Sequence, residues 1–342
     1  MWPPVLYLIS PASAGGWFRY FALLASDDLI REIGEGQEVD ELAVRRGLTD
    51  GLASGLRRVV MFSSHDALLR DVRLAERLRA DGISVFAQSE ACAQIGYDKF
   101  AMKAFFDSRG LSNPPWGRAG DITSVAPERT PVVVKNRHGT QSAGTRLSTV
   151  EYCALRDDEF AEVFIDGVEY SVVVFRDQHG TATFPPVWKG RTGTDLIPPW
   201  RRLRLCPAPG IDPVLDRQLR DLAANVVTLA DGLGHVEVEL VADDAGGIHI
   251  FEINPRVSGT MRISAMAVRM PIFGLHRLPG ARGALAPVRS AAEVPYSGPV
   301  IYDPDHDTFA TSRLTVAADD YAQLRAKLGE AANDLPLAAY QS

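Results

Sequence analysis

The chain of 342 residues is 46% hydrophobic and 23% charged, with a formal net charge of −7. That balance suits an ordinary globular protein of about two or three structural units, and an acidic chain without a long basic tract argues against a nucleic-acid partner. No apolar run reaches the about 18 residues needed to cross a membrane. Met1 to Leu6 lacks the basic and apolar regions of a signal peptide. Cys92, Cys153 and Cys206 have neither metal-ligand nor disulfide spacing, so reduced thiols and a cytoplasmic setting are expected. The histidines form no H-x-x-x-H pair, and no zinc site is expected.

Val5 to Ser10 reads as a short buried strand. The small-residue turn that follows, 11–16, lacks the G-x-G-x-x-G spacing of a dinucleotide site. Helical character is expected over about 17–32 and 39–55. Arg58 to Phe62 is a strand, and Ser63 to Asp66 offers helix caps. Leu68, Leu69, Val72, Leu74, Ala75 and Leu78 give the next helix a broad apolar face. With Ile83 to Phe86 as the following strand, the spacing predicts a βαβ unit on a parallel sheet.

A second unit starts near Tyr97. Residues 98–109 read as a helix ended by Gly110, and Pro114 and Pro115 then hold the chain extended. Pro131 to Lys135 is a strand that places a lysine just before the turn 138–144, whose glycines permit a phosphate cradle of backbone amides. Glu162 to Ile165, the turn Asp166-Gly167 and Val168 to Val174 give strand, turn, strand, with a short return strand at Ala182 to Phe184. Residues 188–208 carry Lys189, Arg191, Arg201, Arg202 and Arg204 among glycines and prolines; they read as a loop-rich segment beside a site. Asp212 to Leu233 is a helix. His235 to Val241 and Gly247 to Ile253 are two alternating strands of a hairpin. Farther on, Arg277 to Arg289 is expected to loop over the surface, Phe309 to Val316 to form a strand, and Asp319 to Ala332 an amphipathic helix.

The stretch Phe251 to Gly259 carries the most chemistry. On a strand, residues two apart share a face, so Glu252 and Asn254 point together, as do Glu237 and Glu239. Carboxylate and amide oxygens are the hard ligands that Mg²⁺ prefers. Pro255 stops the strand and Arg256 follows at once, so oxygens for a metal stand beside a fixed positive charge, which suits the end of a nucleoside triphosphate.

Four signals then occur in order: Asp98-Lys99; Lys135 with Gly139, Ser142 and Gly144; Glu162 to Ile165 followed by Gly167 and Glu169; and Glu239 followed by Glu252-x-Asn254-Pro255-Arg256. Together they resemble the ATP-grasp superfamily over about 97–270. The resemblance implies an α/β and α+β architecture: a Rossmann-like N-terminal domain over 1–96, then a two-subdomain ATP-grasp fold over 97–274. Residues 275–342 would complete that domain, shape the acceptor pocket or form a homodimer contact. ATP and two Mg²⁺ ions are the implied cofactors, with Mn²⁺ an alternative.

By the same resemblance, Lys99 and Lys135 would contact phosphates and the glycine loop would close over them. The backbone of Val163 and Ile165 would bond the adenine edge with Glu162 near its amino group, and Glu169 would accept from the ribose hydroxyls. Glu239, Glu252 and Asn254 would hold the metal ions, Glu237 being the rival for the first position. Arg256 would stabilise the transferred phosphoryl group or an acyl phosphate, and Ser258 and Gly259 would offer backbone donors to a substrate carboxylate. Arg262 would meet that carboxylate or lie on a helix surface; Arg202 is a further substrate-side candidate, and one of Lys189, Arg201, Arg202 and Arg204 would reach the γ-phosphate. Asn136 stands where the family often has proline, and Gln141 where it has the middle glycine of the loop. The implied activity is that of a carboxylate–amine ligase working through an acyl phosphate on small molecules. Asn254 to Gly259 resembles the branch with carbamoyl-phosphate synthetase and small amino-acid ligases. A ligase of a phosphorylated or purine-pathway substrate and a non-catalytic ATP-binding module are the alternatives.

Overall fold

The structure, a computed structural model, describes residues 3–10, 15–34, 58–140, 142, 144–197, 201–305 and 307–331. The helix expected over 39–55 and most of the 11–16 turn lie outside them. Val5–Ile9 (β1), Leu29–Glu32 (β2), Arg58–Phe62 (β3) and Ser84–Phe86 (β4) form a parallel sheet in the order β2-β1-β3-β4. Every residue of β1 is apolar and buried, as a parallel strand covered on both faces must be. Leu68–Ala80 (α1) covers one face, setting Leu74, Ala75 and Leu78 against Leu6, Leu8, Val59 and Met61. The expected βαβ unit is present.

The 17–32 segment is not a helix. It is a 3₁₀ turn, Gly15–Tyr20, followed by β2. Trp17, Phe18 and Phe21 bury their rings in the core instead of lining one helical stripe. Asp28 then draws the chain into the sheet edge, accepting the N–H groups of Val5 at 2.9 Å and Ala25 at 2.7 Å. Arg277 closes this arrangement with a fully buried pair to Asp28 at 2.8 Å, so the start of the expected surface loop is inside the protein.

Glu90–Tyr97 (α2), a helix the sequence reading did not assign, leads directly into Lys99–Ser108 (α3). Asp98 caps α3, accepting from the Phe100 N–H at 2.9 Å, and Gly110 (φ 62°) turns the chain away. Trp116–Gly117 (β5), the short helix Ile122–Val125 (α4), Pro131–Asn136 (β6), Arg146–Thr149 (β7) and Glu159–Val163 (β8) follow. These strands form an antiparallel sheet in the order β5-β8-β6-β7.

The third sheet has eleven strands. They are Gly167–Asp177 (β9), Gly180–Thr183 (β10), Val187–Arg191 (β11), Arg204–Cys206 (β12), Gly234–Asp243 (β13), Ile248–Asn254 (β14), Gly283–Ala284 (β15), Ser290–Pro295 (β16), Ile301–Asp303 (β17), Thr308–Ala310 (β18) and Arg313–Ala318 (β19). The main path is β14-β13-β9-β11-β12-β16-β19-β18-β17. Pro213–Leu229 (α5) packs Leu219, Ala223 and Val226 on Val172, Val174, Val236 and Val238. Tyr321–Ala331 (α7) packs Leu324 and Leu328 on the same face farther along, over Leu205, Ala292, Leu314 and Val316. The opposite face meets Met261–Val268 (α6) and the free side of the N-terminal sheet in one core that joins Val173, Phe175 and Ala317 to Tyr7, Val60 and Phe62.

Two expectations are corrected here. Residues 188–208 contain β11 and β12, two interior strands, rather than loop alone. Their inward residues Lys189 and Arg204 are buried charges, so hydrophobic periodicity reveals only half of each strand. Glu162 to Val174 is strand, turn and strand as expected, and β8 and β9 belong to different sheets, with residues 164–166 crossing between them as a two-subdomain fold implies. Phe309 to Val316 is a tight hairpin, β18 and β19, not one strand. The helix over 319–332 is present as α7. Cys92, Cys153 and Cys206 form no disulfide, and among the described residues no helix is long and apolar enough to cross a membrane.

Two histidines sit in the aromatic core between the N-terminal sheet and the large sheet. His235 donates its Nε2–H to the Ile272 carbonyl at 2.9 Å and packs on Phe62, Phe175 and Phe273. Burial pushes it down to about 3. His276 lies 3.2 Å from the Tyr7 hydroxyl, and burial with the nearby Arg58 and Arg277 also lowers it to about 3. Both are depressed relative to the unfolded chain, so their contribution to stability is complete above about pH 6.5 and is lost progressively as the pH falls toward 3. The urea midpoint is therefore expected to drop between about pH 7 and pH 5, before most carboxylates titrate. His235→Gln keeps a donor for Ile272 and is expected to flatten that drop; an unchanged pH profile in this variant would refute the assignment.

Candidate functional site

Strand period and sheet register assemble the polar face. Across β13 and β14, Glu237 pairs with Asn254 and Glu239 with Glu252; across β13 and β9, Glu239 pairs with Ser171. Trp188 pairs with Leu205, which sets Lys189 beside Arg204 on the other face. Arg204 pairs with Glu293, and Glu293 with Thr315. One face of the large sheet thus carries a continuous stripe of charged and polar side chains, while its back is the apolar core under α5 and α7.

Each carboxylate in the stripe is held by a cation. The Lys189 ammonium, 2% exposed, lies 3.1 Å from both Glu237 and Glu239. The Ser171 hydroxyl donates to Glu237 at 2.6 Å, and the Asn254 amide to Glu239 at 3.4 Å. Lys99 pairs with Glu252 at 2.5 Å, and Arg256 donates to the Asn254 carbonyl oxygen at 2.8 Å. Burial opposes ionisation of Glu237, but Lys189 and Ser171 outweigh it and bring that carboxyl to about 2. Burial is not outweighed at Glu239, where the neighbouring Glu237 and Glu252 add to it, and its carboxyl is raised. At Glu252 burial is overcome chiefly by Lys99, and the carboxyl is lowered.

The facing wall comes from the smaller sheet. Glu162 on β8 is buried between Lys103 of α3, at 2.6 Å, and Lys135 of β6. Burial alone would raise the Glu162 carboxyl; the two ammonium groups hold it at about 2. Asp98, besides capping α3, forms a salt bridge with Arg137 at 2.5 Å, fixing the chain just after Lys135. The Val163 N–H donates to Pro115 at 2.8 Å, so of this residue's backbone it is the carbonyl that can serve the expected adenine contact. In the glycine loop, Ser142 and Gly144 both take positive φ, at 59° and 72°. A Cβ on Gly144 would stand 2.4 Å from the Asn136 amide nitrogen, so this close approach requires glycine. Gln141 lies outside the described residues.

A cleft between the two sheets brings together Lys99, Lys135, Gly139, Ser142, Glu162, Val163, Ile165, Glu169, Arg202, Glu239 and Glu252. Thr192, Gly193, Leu196 and Ile197, none singled out by sequence, complete its wall. Arg202 pairs with Glu169 at 2.7 Å and so belongs to this cleft, apart from Ser258 and Arg262. Asn254 and Arg256 stand behind Glu239. Ser258 is buried with its hydroxyl 3.2 Å from that of Thr260, and its N–H faces the Met261 sulfur at 3.3 Å. Gly259 lies against the Arg204 guanidinium. Arg262 is 7% exposed and pairs with Glu293 at 3.4 Å; the helix-surface alternative is corrected.

Sequence reading missed Lys103, Glu293 and Arg313. Lys103 had a signal, since it lies four residues after Lys99 on one helix and so on the same face. Glu293 and Arg313 come from the segment with least pattern, and only strand pairing brings them to Arg204 and Arg262. Among the described residues no set of three or more His, Cys, Asp or Glu side chains is gathered as a metal cage. Two carboxylates and an amide whose oxygens already meet cations do fit Mg²⁺, which takes one or two carboxylates and completes its shell with water and phosphate oxygens.

Residues 97–260 match the family model described as ATP-grasp domain. The carbamoyl-phosphate synthase of Methanobrevibacter smithii is 23% identical over 288 residues, covering 75% of this chain and 78% of that protein. Among solved structures, the L-amino acid ligase of Bacillus licheniformis superposes with a TM-score of 0.67 at 16% identity, covering 96% of this chain and 97% of that one. The N5-carboxyaminoimidazole synthase of Aspergillus clavatus, in complex with ADP and 5-aminoimidazole ribonucleotide, gives 0.69 at 15% identity, covering 96% and 98%. The fold is therefore the one shared by these proteins.

Lys103 neutralises a buried carboxylate, and removing one partner of such a pair is strongly destabilising. Lys103→Met is expected to cost about 3 kcal/mol in urea unfolding. Adding Glu162→Gln to it is expected to recover part of that loss, and a strictly additive double variant would show that the two groups do not interact.

Proposed function

We propose that this chain, which belongs to the ATP-grasp ligases, joins a carboxylate to an amine through an acyl phosphate, acting on an amino acid or small peptide. One observation carries the reading. Glu239 and Glu252 line one end of a cleft with Asn254 behind them, and each of the three meets a cation of the chain itself, Lys189, Lys99 or Arg256. Such oxygens suit Mg²⁺, and the lysines suit the phosphates that accompany it.

The roles follow from charge. Lys99 and Lys135 would neutralise phosphate oxygens, the former set beside Glu252 and the latter oriented by Glu162. Glu239, Glu252 and Asn254 would hold two Mg²⁺ ions, which when bound supply charge neutralisation for the phosphates. Glu237, buried and pinned by Ser171 and Lys189, would act as the partner that fixes Lys189, leaving Glu239 nearer the cleft. The backbone of Val163 and Ile165 would meet the adenine, and Glu169 the ribose once Arg202 yields it. The loop with Gly139, Ser142 and Gly144 would close over the phosphates and exclude water.

In the reaction a substrate carboxylate oxygen attacks the γ-phosphorus, the bond to the bridging oxygen breaks, and ADP leaves. Arg256 would offset charge on the transferred group, an effect of positioning and electrostatics rather than covalent catalysis. The amine nitrogen then attacks the acyl carbon, the carbon–oxygen bond breaks, and phosphate departs as the amine loses its proton. Ser258 and Gly259 follow Arg256 after Val257 and would line the acyl end.

Incubation with ATP, Mg²⁺ and mixed amino acids is expected to release phosphate and to yield a product with the summed mass of two substrates less water. Nucleotide binding without stimulated phosphate release by any carboxylate and amine mixture would sink the ligase reading. Glu252→Gln is expected to lower turnover by about 100-fold or more, and undiminished turnover would remove Glu252 from the metal set.

A further inference from the structure

Beyond the nucleotide cleft, three arginines converge on one carboxylate. Glu293 is 1% exposed. Arg204 reaches it at 3.1 Å, Arg262 at 3.4 Å and Arg313 through its Nε, while the Thr315 hydroxyl donates to it at 3.0 Å. Each arginine is 7% exposed. Arg313 also donates to the carbonyls of Arg202 at 2.7 Å and Glu293 at 3.1 Å, and Arg262 to that of Arg313 at 3.3 Å, but none of these contacts adds a negative charge. Three guanidinium groups contact this one carboxylate, and the next carboxylates along the stripe, Glu237 and Glu239, are shared with Lys189, so the cluster keeps a net positive charge. The Nε of Arg204, the Nε of Arg262 and Nη1 of Arg313 have no hydrogen-bond partner. A buried, uncompensated charge is strongly unfavourable, so this cluster is built for an anion.

The cluster adjoins the acyl end of the site. A Cβ on Gly259 would lie 3.0 Å from Arg204 Nη1, so glycine keeps the way open from Arg256 to the guanidinium groups. From β11, which carries Lys189, to β16, which carries Glu293, is two strand spacings, about 10 Å.

We propose that Arg204, Arg262 and Arg313 bind a second oxyanion group of the substrate, a phosphate monoester or a dicarboxylate end, on the far side of Gly259 from Arg256. The proposal rests on the ligase reading and narrows its substrate to anionic small molecules. Glu293 holds the three arginines in register and leaves net positive charge for the ligand.

The test uses the full chain saturated with MgADP, so that the nucleotide site is filled, and follows the melting temperature as inorganic phosphate, malonate or acetate is added at matched ionic strength. Phosphate or malonate is expected to raise it by several degrees and acetate to have little effect; a response to phosphate alone or malonate alone selects the class. Arg313→Met is expected to abolish the shift. Glu293→Gln adds to the positive surplus and is expected to tighten anion binding by about tenfold, equivalent to about 1.4 kcal/mol. Equal shifts with all three anions, no shift, or a shift unchanged in Glu293→Gln would overturn the proposal, even if Arg313→Met does not fold. The MgADP shift is read separately, so a failed nucleotide site and a failed anion site are told apart.

Discussion

The carboxylates of β13 and β14 can lie side by side beneath the surface only because cations reach them from other elements. Glu237, Glu239 and Glu252 would repel one another in a low-dielectric setting. Lys189 comes from β11, two strands away from β13, and spans the small Ser171 to touch both Glu237 and Glu239. Lys99 comes from the first turn of α3 and meets Glu252. The position of the large sheet against the helix that precedes the small one is thus tied to charge balance as well as to apolar packing.

The same constraint shapes the opposite wall. Glu162 is as deeply buried as a core leucine, yet it is ionised because Lys103 and Lys135 lie on either side. A lysine held by a buried carboxylate loses much of its rotamer freedom before any ligand arrives, which lowers the entropy lost when it meets a phosphate. Asp98 plays a related part: it caps the helix that carries Lys99 and clamps Arg137, so one carboxylate orders both lysine-bearing segments.

Across the large sheet the charges alternate from the β14 edge to β19: carboxylates, lysine, arginine, carboxylate, arginine. The sequence separates these residues by more than 140 positions, from Ser171 to Arg313. Their union ties the last strands into the same charged stripe of the large sheet. It also explains why β11 and β12 resisted recognition. Strand patterning is read from apolar alternation, and a strand whose inward positions are Lys189 or Arg204 looks like exposed loop until its partners are known.

Local chemistry alone determined much of this protein. Apolar runs with caps specified β1, β3, α1, α3 and α5, the alternation of the 235–253 segment specified the hairpin, and side-chain parity placed Glu237 with Glu239 and Glu252 with Asn254. Lys99, Lys135, Glu169, Glu239 and Glu252 were marked as one cleft by the resemblance of their ordered motifs to a known family, not by strand or helix period. Tertiary structure alone decided which cation meets which carboxylate, that Arg262 and Arg277 are buried, and that Arg204, Arg262 and Arg313 share Glu293. Those outcomes depend on the pairing of distant strands, and pairing is a competition among whole surfaces, for which no single stretch of sequence carries the score.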